Sequence, residues 1–248
     1  MNVIIKDDER IDDLEYKGLK IIQNINGFCF GIDSILLTNF ARNVKNNTRI
    51  IDLGTGTAII PILLSEKSKA REIVGVEIQQ DMADMAIRSV KLNNLENKIK
   101  IINDNILNLK NKFKKNSFDV VVTNPPYKKI NTGIINQNDK KIISRHEVTA
   151  SLEDFIDVSF YLLKEYGELY MVHRPERLVD IIYILRQKNI EPKNIRFIFS
   201  NKDKEPKLVL IKAVKNGKSF LNFEKNLYIY DDDGKYTYEV LKIYEKDK

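Results

Sequence analysis

The sequence predicts an α/β fold, a mostly parallel sheet with helices on both faces, and three observations carry that expectation. Short apolar runs rich in Ile and Val, at 49–53, 72–77, 98–103 and 118–123, have the length and β-branched content of buried strands. Stretches of helical character at 58–66 and 80–93 alternate with them, and strand–helix alternation builds parallel sheets. A glycine-rich turn, Gly54-Thr55-Gly56-Thr57, joins the first of these strands to the first of these helices.

Ahead of that turn, Leu19 to Gln23 and Phe28 to Phe30 read as short strands or an extended lead. A helix follows from Asp33 or Ser34 to Arg42, either residue being a good N-cap. Beyond 118–123 lies a polar segment, Lys128 to Ser144, without a sustained period; lid, RNA contact and solvated insertion are all open readings. Ser151 opens a helix to about Leu163, Gly167 precedes a strand at 168–172, and another helix spans 176–188. Runs at 195–199 and 208–214, joined by a charged turn, read as an antiparallel closing pair. In the tail, Leu227 to Tyr230 and Tyr236 to Tyr238 alternate on both sides of Asp231-Asp232-Asp233-Gly234, a hairpin signal. With no repeat and no clear linker, one structural domain is expected: an N-terminal extension with its helix (1–45), the sheet domain (46–215) and a C-terminal β-hairpin extension (216–248).

At 248 residues, 43% of them hydrophobic, the chain is long enough to bury one large core. Its one cysteine, Cys29, excludes an internal disulfide and fits a reducing compartment. Only two histidines, His146 and His173, and the absence of a Cys-x-x-Cys pair predict no metal. No run approaches the ~18 apolar residues of a membrane span and the first residues lack a signal peptide's apolar stretch, so a cytoplasmic location is expected. A monomer is the working expectation. The net charge of +6 suits a phosphate-rich partner. A bias toward Lys, Asn and Ile produces the same excess, so clustering is the better guide. Lys110, Lys112, Lys114 and Lys115 precede the strand at 118–123, and Lys128, Lys129, Lys140, Lys141 and Arg145 flank the polar segment after it. A third basic stretch, from Lys193 to Lys218, lies partly on strands, where alternation puts lysine outside.

Ligands of open α/β sheets sit at the carboxyl ends of strands, and here those ends are polar in a consistent way. The first leads into Asp52-Leu53-Gly54-Thr55-Gly56-Thr57-Ala58, a turn that lets a nucleotide-like ligand approach the backbone. The third glycine of a dinucleotide fingerprint would stand at Ile59 and is missing; Ala58 is small enough for helix and strand to pack closely. The second ends in Glu77, followed by Ile78, about 20 residues past the turn, the spacing at which a carboxylate meets ribose hydroxyls. The third ends in Asp104 and Asn105, the former suited to accept from an adenine amino group. Each acid alone also reads as a solvated strand end; their order along successive strands favours a ligand.

The fourth strand ends in Asn124-Pro125-Pro126-Tyr127. An exocyclic amine on a flat base is a poor nucleophile, because its lone pair is delocalised into the ring. The Asn124 side-chain carbonyl and the Pro125 backbone carbonyl can accept both N–H hydrogens and turn that lone pair toward an electrophile. Tyr127 can stack on the base, while Pro125 and Pro126 restrict the backbone so that the acceptors are held before substrate arrives. On the tetrapeptide alone, a plain turn ending a strand stays open.

The glycine turn and Asn-Pro-Pro-Tyr together resemble the class I S-adenosylmethionine-dependent methyltransferases, and among them those that methylate amino nitrogens. A closer resemblance, to the tRNA(Val) adenine-N6 methyltransferase family, covers nearly the whole chain. It rests on Phe28-Cys29-Phe30-Gly31-Ile32-Asp33-Ser34-Ile35-Leu36-Leu37, Arg145-His146-Glu147 and His173-Arg174-Pro175-Glu176-Arg177-Leu178. The resemblance implies a Rossmann-like sheet of seven strands with the last reversed, residues 46–215 as the donor-binding domain, and S-adenosylmethionine as methyl donor with S-adenosylhomocysteine as product. It implies tRNA as partner and the N6 amine of an anticodon-loop adenine as acceptor, splayed from its neighbours. On that view Asp52, Gly54, Thr55, Gly56, Thr57, Glu77, Ile78, Asp104, Asn105 and Asn124 line the donor, and Asn124, Pro125, Pro126 and Tyr127 carry the transfer. Asp33 either approaches the methionine ammonium or caps its helix. Lys128, Lys129, Arg145, His146, Arg174 and Arg177 contact RNA, with a solvated helix residue the competing reading of Arg177. A glutamine amide on a protein, or a base in DNA or rRNA, presents the same planar nitrogen; enzymes for these resemble chains with an added helical or recognition domain, for which little room is seen here. An inactive cofactor-binding RNA protein is a further alternative, opposed by the intact Asn124 and Tyr127.

Overall fold

In a computed structural model, residues 3–27, 31–127 and 150–246 are described; the expected strand at 28–30 with Cys29, the segment Lys128 to Ser144 and Arg145-His146-Glu147 lie outside the described residues. Two strands, β1 (Glu9–Asp13) and β2 (Lys20–Asn24), precede α1 (Ile32–Ala41). The alternating series follows: β3 (Arg49–Leu53), α2 (Ile59–Lys67), β4 (Glu72–Glu77), α3 (Gln80–Leu92), β5 (Ile99–Asn103), the single turn α4 (Leu109–Lys112) and β6 (Phe118–Thr123). Then come α5 (Leu152–Leu162), β7 (Leu163–His173), α6 (Leu178–Gln187), β8 (Ile190–Phe199) and β9 (Pro206–Lys215), and the tail adds β10 (Asn222–Phe223), β11 (Leu227–Tyr228) and α7 (Tyr238–Ile243).

Alternation along the strands sets the layers. Ile50 of β3 shares a core with Val120 and Val122 of β6, under α1, α2 and α3; Ile51, Leu53 and Val121 face the other way, under α4, α5 and α6. The main sheet has the order β10-β8-β9-β7-β6-β3-β4-β5, with β11 also on β8. Strands β3 to β7 pair in parallel, while β9 lies antiparallel between β7 and β8. The seven strands implied by the resemblance are therefore β3 to β9, with the last reversed. Chain order turns around at β3, which has β4 on one side and β6 on the other, the kind of switch point where open sheets hold ligands. Among the described residues no helix is long and apolar enough to cross a membrane.

Two departures from expectation have local causes. Strand β1, Glu-Arg-Ile-Asp-Asp, shows no apolar alternation; it exists because β2 pairs with it and α3 clamps it. Arg88 donates to both oxygens of the buried Glu9 carboxylate, at 2.6 Å each, and holds that carboxyl below its usual range. The tail is not an extended hairpin. A single bridge, Tyr230 with Tyr236, closes the Asp-Gly turn, while Leu227–Tyr228 pairs with β8 and the following segment becomes α7. Val240 and Ile243 stand three apart, a helical spacing, and both are buried in the core that contains α1.

Much of the third basic stretch is paired internally. Arg196 meets Glu239, Lys202 meets Asp232 and Lys212 meets Glu168, and Lys215 is buried outright at 1% exposure. Its ammonium donates to Asn116 Oδ1 at 2.7 Å and to the carbonyls of Phe160 and Leu163 at 2.8 Å each, tying the end of β9 to the junction of α5 and β7. All three donors of the group are thereby used. A Lys215→Met variant keeps the apolar stem and strands the three acceptors, so urea denaturation should show a loss of about 2–4 kcal/mol; a loss under about 0.5 kcal/mol would mean that water replaces the ammonium there.

Candidate active site

Parallel register brings the strand ends to one level. Leu53 of β3 lies beside Val76 of β4 and Thr123 of β6, and Glu77 lies beside Asn103 of β5. The buried Thr123 hydroxyl donates to the Leu53 carbonyl at 2.9 Å, fastening β6 to β3 where both strands end. The glycine turn, Glu77, Asn103 and Asn124 consequently share one rim.

After Leu53 the chain passes through left-handed conformations at Gly54 (φ 76°), Gly56 (φ 58°) and Ala58 (φ 72°). The amides of Gly54 and Thr55 donate to the Val76 carbonyl at 2.9 Å each. The buried Glu77 carboxylate accepts from the Gly56 amide and the Gln79 amide, again at 2.9 Å each, so it anchors the turn to β4. Each of its oxygens keeps a second lone pair. Ile78 beside it is 43% exposed, and Asn103 Nδ2 donates to the carbonyls of Glu77 and Ile78. Thr57 is buried in the turn. Asp104 does not present a free carboxylate: Oδ1 accepts from the Asn105 amide and Asn108 Nδ2, and Oδ2 pairs with Lys112 at 2.6 Å. Asn105 caps the following turn by accepting from the Leu107 amide at 3.0 Å.

At the end of β6, Pro125 is buried, Pro126 is exposed, and Asn124 and Tyr127 are half-buried. Asn124 Nδ2 donates to Asp33 Oδ2 at 3.0 Å. The Tyr127 hydroxyl lies 2.9 Å from Asp33 Oδ2 and 2.8 Å from Asn124 Oδ1, with one proton to share between them. Burial and then the Asp33 charge push the phenol's pKa far up, so it stays a donor. The sequence-based expectation had Asn124 Oδ1 open to an amine and Tyr127 open to a base. Instead the oxygen is taken by the phenol, and the Tyr127 ring has the His173 ring 5.1 Å away and the Arg174 guanidinium at 5.2 Å. Ser34 also joins this group, its hydroxyl 3.5 Å from Asn124 Nδ2.

Sequence reasoning counted His173 as part of a family motif and not as a site residue, although it ends β7 on the same rim. It is fully buried, its Nδ1 accepts from the Arg174 amide at 2.8 Å, and burial pushes its pKa down to about 4. The ring is therefore neutral near pH 7 with its proton on Nε2. Arg174 donates to the Lys207 carbonyl, and Arg177 is paired with Asp180 at 2.8 Å. Lys128, Lys129, Arg145 and His146 lie outside the described residues. Among the described residues no group of three or more His, Cys, Asp or Glu side chains is arranged to hold a metal ion.

Beneath the turn, Asp52 is completely buried; its Oδ2 accepts from Thr55 Oγ1 at 2.6 Å and its Oδ1 has no partner among the described residues. Burial pushes its carboxyl up to about 7, against the Thr55 hydrogen bond and with help from the Glu77 charge. A folded-state value above the ordinary 3.8 means that folding takes up a proton between the two: the contribution is full below about pH 4 and is lost as pH rises through about 7. Unfolding free energies compared between wild type and Asp52→Asn should therefore diverge by about 2–4 kcal/mol from about pH 4 to about pH 8, wild type losing ground. Parallel curves would show that Asp52 titrates as an ordinary carboxylate.

With the rim described, the comparisons with known proteins acquire a structural meaning. The tRNA1(Val) (adenine(37)-N6)-methyltransferase of Porphyromonas gingivalis is 24% identical over 94% of this chain and 94% of its own length. The protein of the same name from Histophilus somni is 30% identical over 63% of this chain and 65% of its own. Among solved structures, a predicted O-methyltransferase from Agrobacterium tumefaciens superposes with a TM-score of 0.70 at 20% identity, covering 87% of this chain and 96% of that one. TYW2 of Pyrococcus horikoshii, in complex with MeSAdo, gives 0.60 at 11% identity, covering 86% and 73%. At such identities the superpositions speak for the fold. The methyltransferase small domain matches residues 31–186, from the glycine ahead of Asp33 to the end of α6, and the chain belongs to that family of methyltransferases.

Proposed function

We propose that this chain methylates the N6 amine of an adenine in tRNA, with S-adenosylmethionine as donor. One observation carries the reading: the Asn124–Tyr127 tetrapeptide and the glycine turn with Glu77 open on the same rim, because β6 and β4 flank β3 in register. The curated relatives' names support adenine N6 in tRNA1(Val) as the acceptor.

S-adenosylmethionine, when bound, supplies an electrophilic methyl group on sulfur. The residues present suit it. Gly54 leaves the backbone of the turn uncovered, Glu77 retains lone pairs for ribose hydroxyls, Ile78 offers an exposed apolar surface for a purine, and Asp52 Oδ1, without a partner among the described residues, can accept a hydrogen bond or, protonated, donate one. On the acceptor side, Asn124 Oδ1 and the Pro125 carbonyl take the amine hydrogens and hold the nitrogen lone pair outward. Entry of the base exchanges the phenol–amide hydrogen bond of Tyr127 for an amine–amide one and frees the tyrosine ring to stack. With the donor bound, the nitrogen would gain the methyl group as the S–CH3 bond breaks, leaving S-adenosylhomocysteine, and would give up one hydrogen as a proton to water. Most of the acceleration comes from holding the reacting atoms in line in a water-poor crevice. Arg174, with its guanidinium over Tyr127, faces the RNA backbone at the rim, and Lys128, Lys129, Arg145 and His146 extend that contact by their place in the sequence.

Incubation with unmodified tRNA and labelled S-adenosylmethionine, followed by nucleoside mass spectrometry, should yield N6-methyladenosine. Label in a protein glutamine with none in tRNA would replace this reading by amide methylation. Asn124→Ala should slow transfer by about 100- to 1000-fold while S-adenosylhomocysteine binding, read by calorimetry, stays within about threefold.

A further inference from the structure

The contacts of Asp33 go beyond those of a helix cap. The N-cap of α1 is Gly31, and Asp33 stands inside the first turn. Through Oδ1 the Asp33 carboxylate accepts from the Ser34 amide at 3.0 Å, and through Oδ2 it reaches across to Asn124 Nδ2 at 3.0 Å and the Tyr127 hydroxyl at 2.9 Å. The fold-back is tight: a Cβ at Gly31 would stand 2.6 Å from Asp33 Oδ1, so the glycine makes room for the carboxylate.

A carboxamide is nearly symmetric in shape, and a half-turn of its last torsion exchanges oxygen for NH2. Only one of the two orientations serves an incoming amine, since NH2 facing an amine is donor against donor. An ionised carboxylate accepts and never donates, so it tolerates only the NH2 end of Asn124. The amide oxygen is then turned to the other side, where the Tyr127 hydroxyl lies 2.8 Å away. We propose that Asp33 is a positioning residue for the transfer: it fixes the flip of the Asn124 carboxamide so that Oδ1 meets the acceptor amine, and it keeps the phenolic proton of Tyr127 when the amine takes that oxygen. This rests on the acceptor role of Asn124 proposed above.

Asp33→Asn keeps the size and removes the one-way partner, because the new amide can offer either end. In this variant kcat with tRNA should fall about 10- to 100-fold, the worth of one charge-assisted hydrogen bond, while S-adenosylhomocysteine affinity and KM for the donor stay within about threefold. Unchanged kcat overturns the proposal. So does a loss of S-adenosylhomocysteine affinity with normal kcat at saturating donor, which returns Asp33 to the donor pocket. A readout free of substrate is the side-chain 15N resonance of Asn124, identified by its loss in Asn124→Ala: it should move upfield in Asp33→Asn, and a resonance that stays put overturns the proposal. If wild type methylates no tRNA adenine, the proposed function fails, while the resonance still decides whether Asp33 holds the amide.

Discussion

The parallel pairing of β3 with β4 on one side and β6 on the other is the constraint on which the site depends. Leu53, Val76 and Thr123 end at one level, and Thr123 reinforces that level with a buried hydrogen bond to the Leu53 carbonyl. A slip of one residue in either pairing would invert the faces of a strand whose two sides belong to different cores, exposing Ile51 or Ile50 to the wrong helices. Hydrophobic alternation thus fixes the register, and the register sets the distance between the glycine turn and the tetrapeptide. Catalytic geometry here is a by-product of core packing.

On that frame the polar groups of the rim divide into those that satisfy one another and those that do not. Asp33, Asn124 and Tyr127 close their hydrogen bonds among themselves, and Glu77 closes the glycine turn on β4. Asp52 Oδ1 and His173 Nε2, in contrast, are buried at the ends of β3 and β7 without partners among the described residues. Leaving such an atom unpaired costs about 1–3 kcal/mol. The same burial that strands them also tunes them, Asp52 toward the neutral acid and His173 toward the neutral imidazole.

The strand–helix series from β3 to β6 was readable because periodicity and turn chemistry agree along it; β6 spans Phe118–Thr123, the run its Val-rich sequence predicts. Where partners supply the structure, sequence was silent. β1 has a polar sequence and is a strand only through β2 and Arg88, and α7 begins at Tyr238, where the alternation of Tyr236 to Tyr238 ends, because Val240 and Ile243 fill the core around α1. The candidate site divides in the same way. Asn124, Glu77 and the glycine turn could be located by being strand ends, whereas the contact between Asp33 and Asn124 joins residues from separate elements and has no local signature. Asp104 is a candidate as a strand-end carboxylate and Arg177 through the His-Arg-Pro-Glu-Arg-Leu resemblance, and neither signal reveals that Lys112 and Asp180 already answer their charges.

The core that surrounds α1 draws on both ends of the chain: Leu19 and Ile21 from the first hairpin, Val240 and Ile243 from the last helix. Lys67 of α2 donates to the Ile243 carbonyl, and Lys246 pairs with Glu15. The helix that carries Asp33 therefore packs fully only when segments as distant in sequence as Glu15 and Lys246 have met, so the methylating rim waits on long-range closure and not on local structure alone.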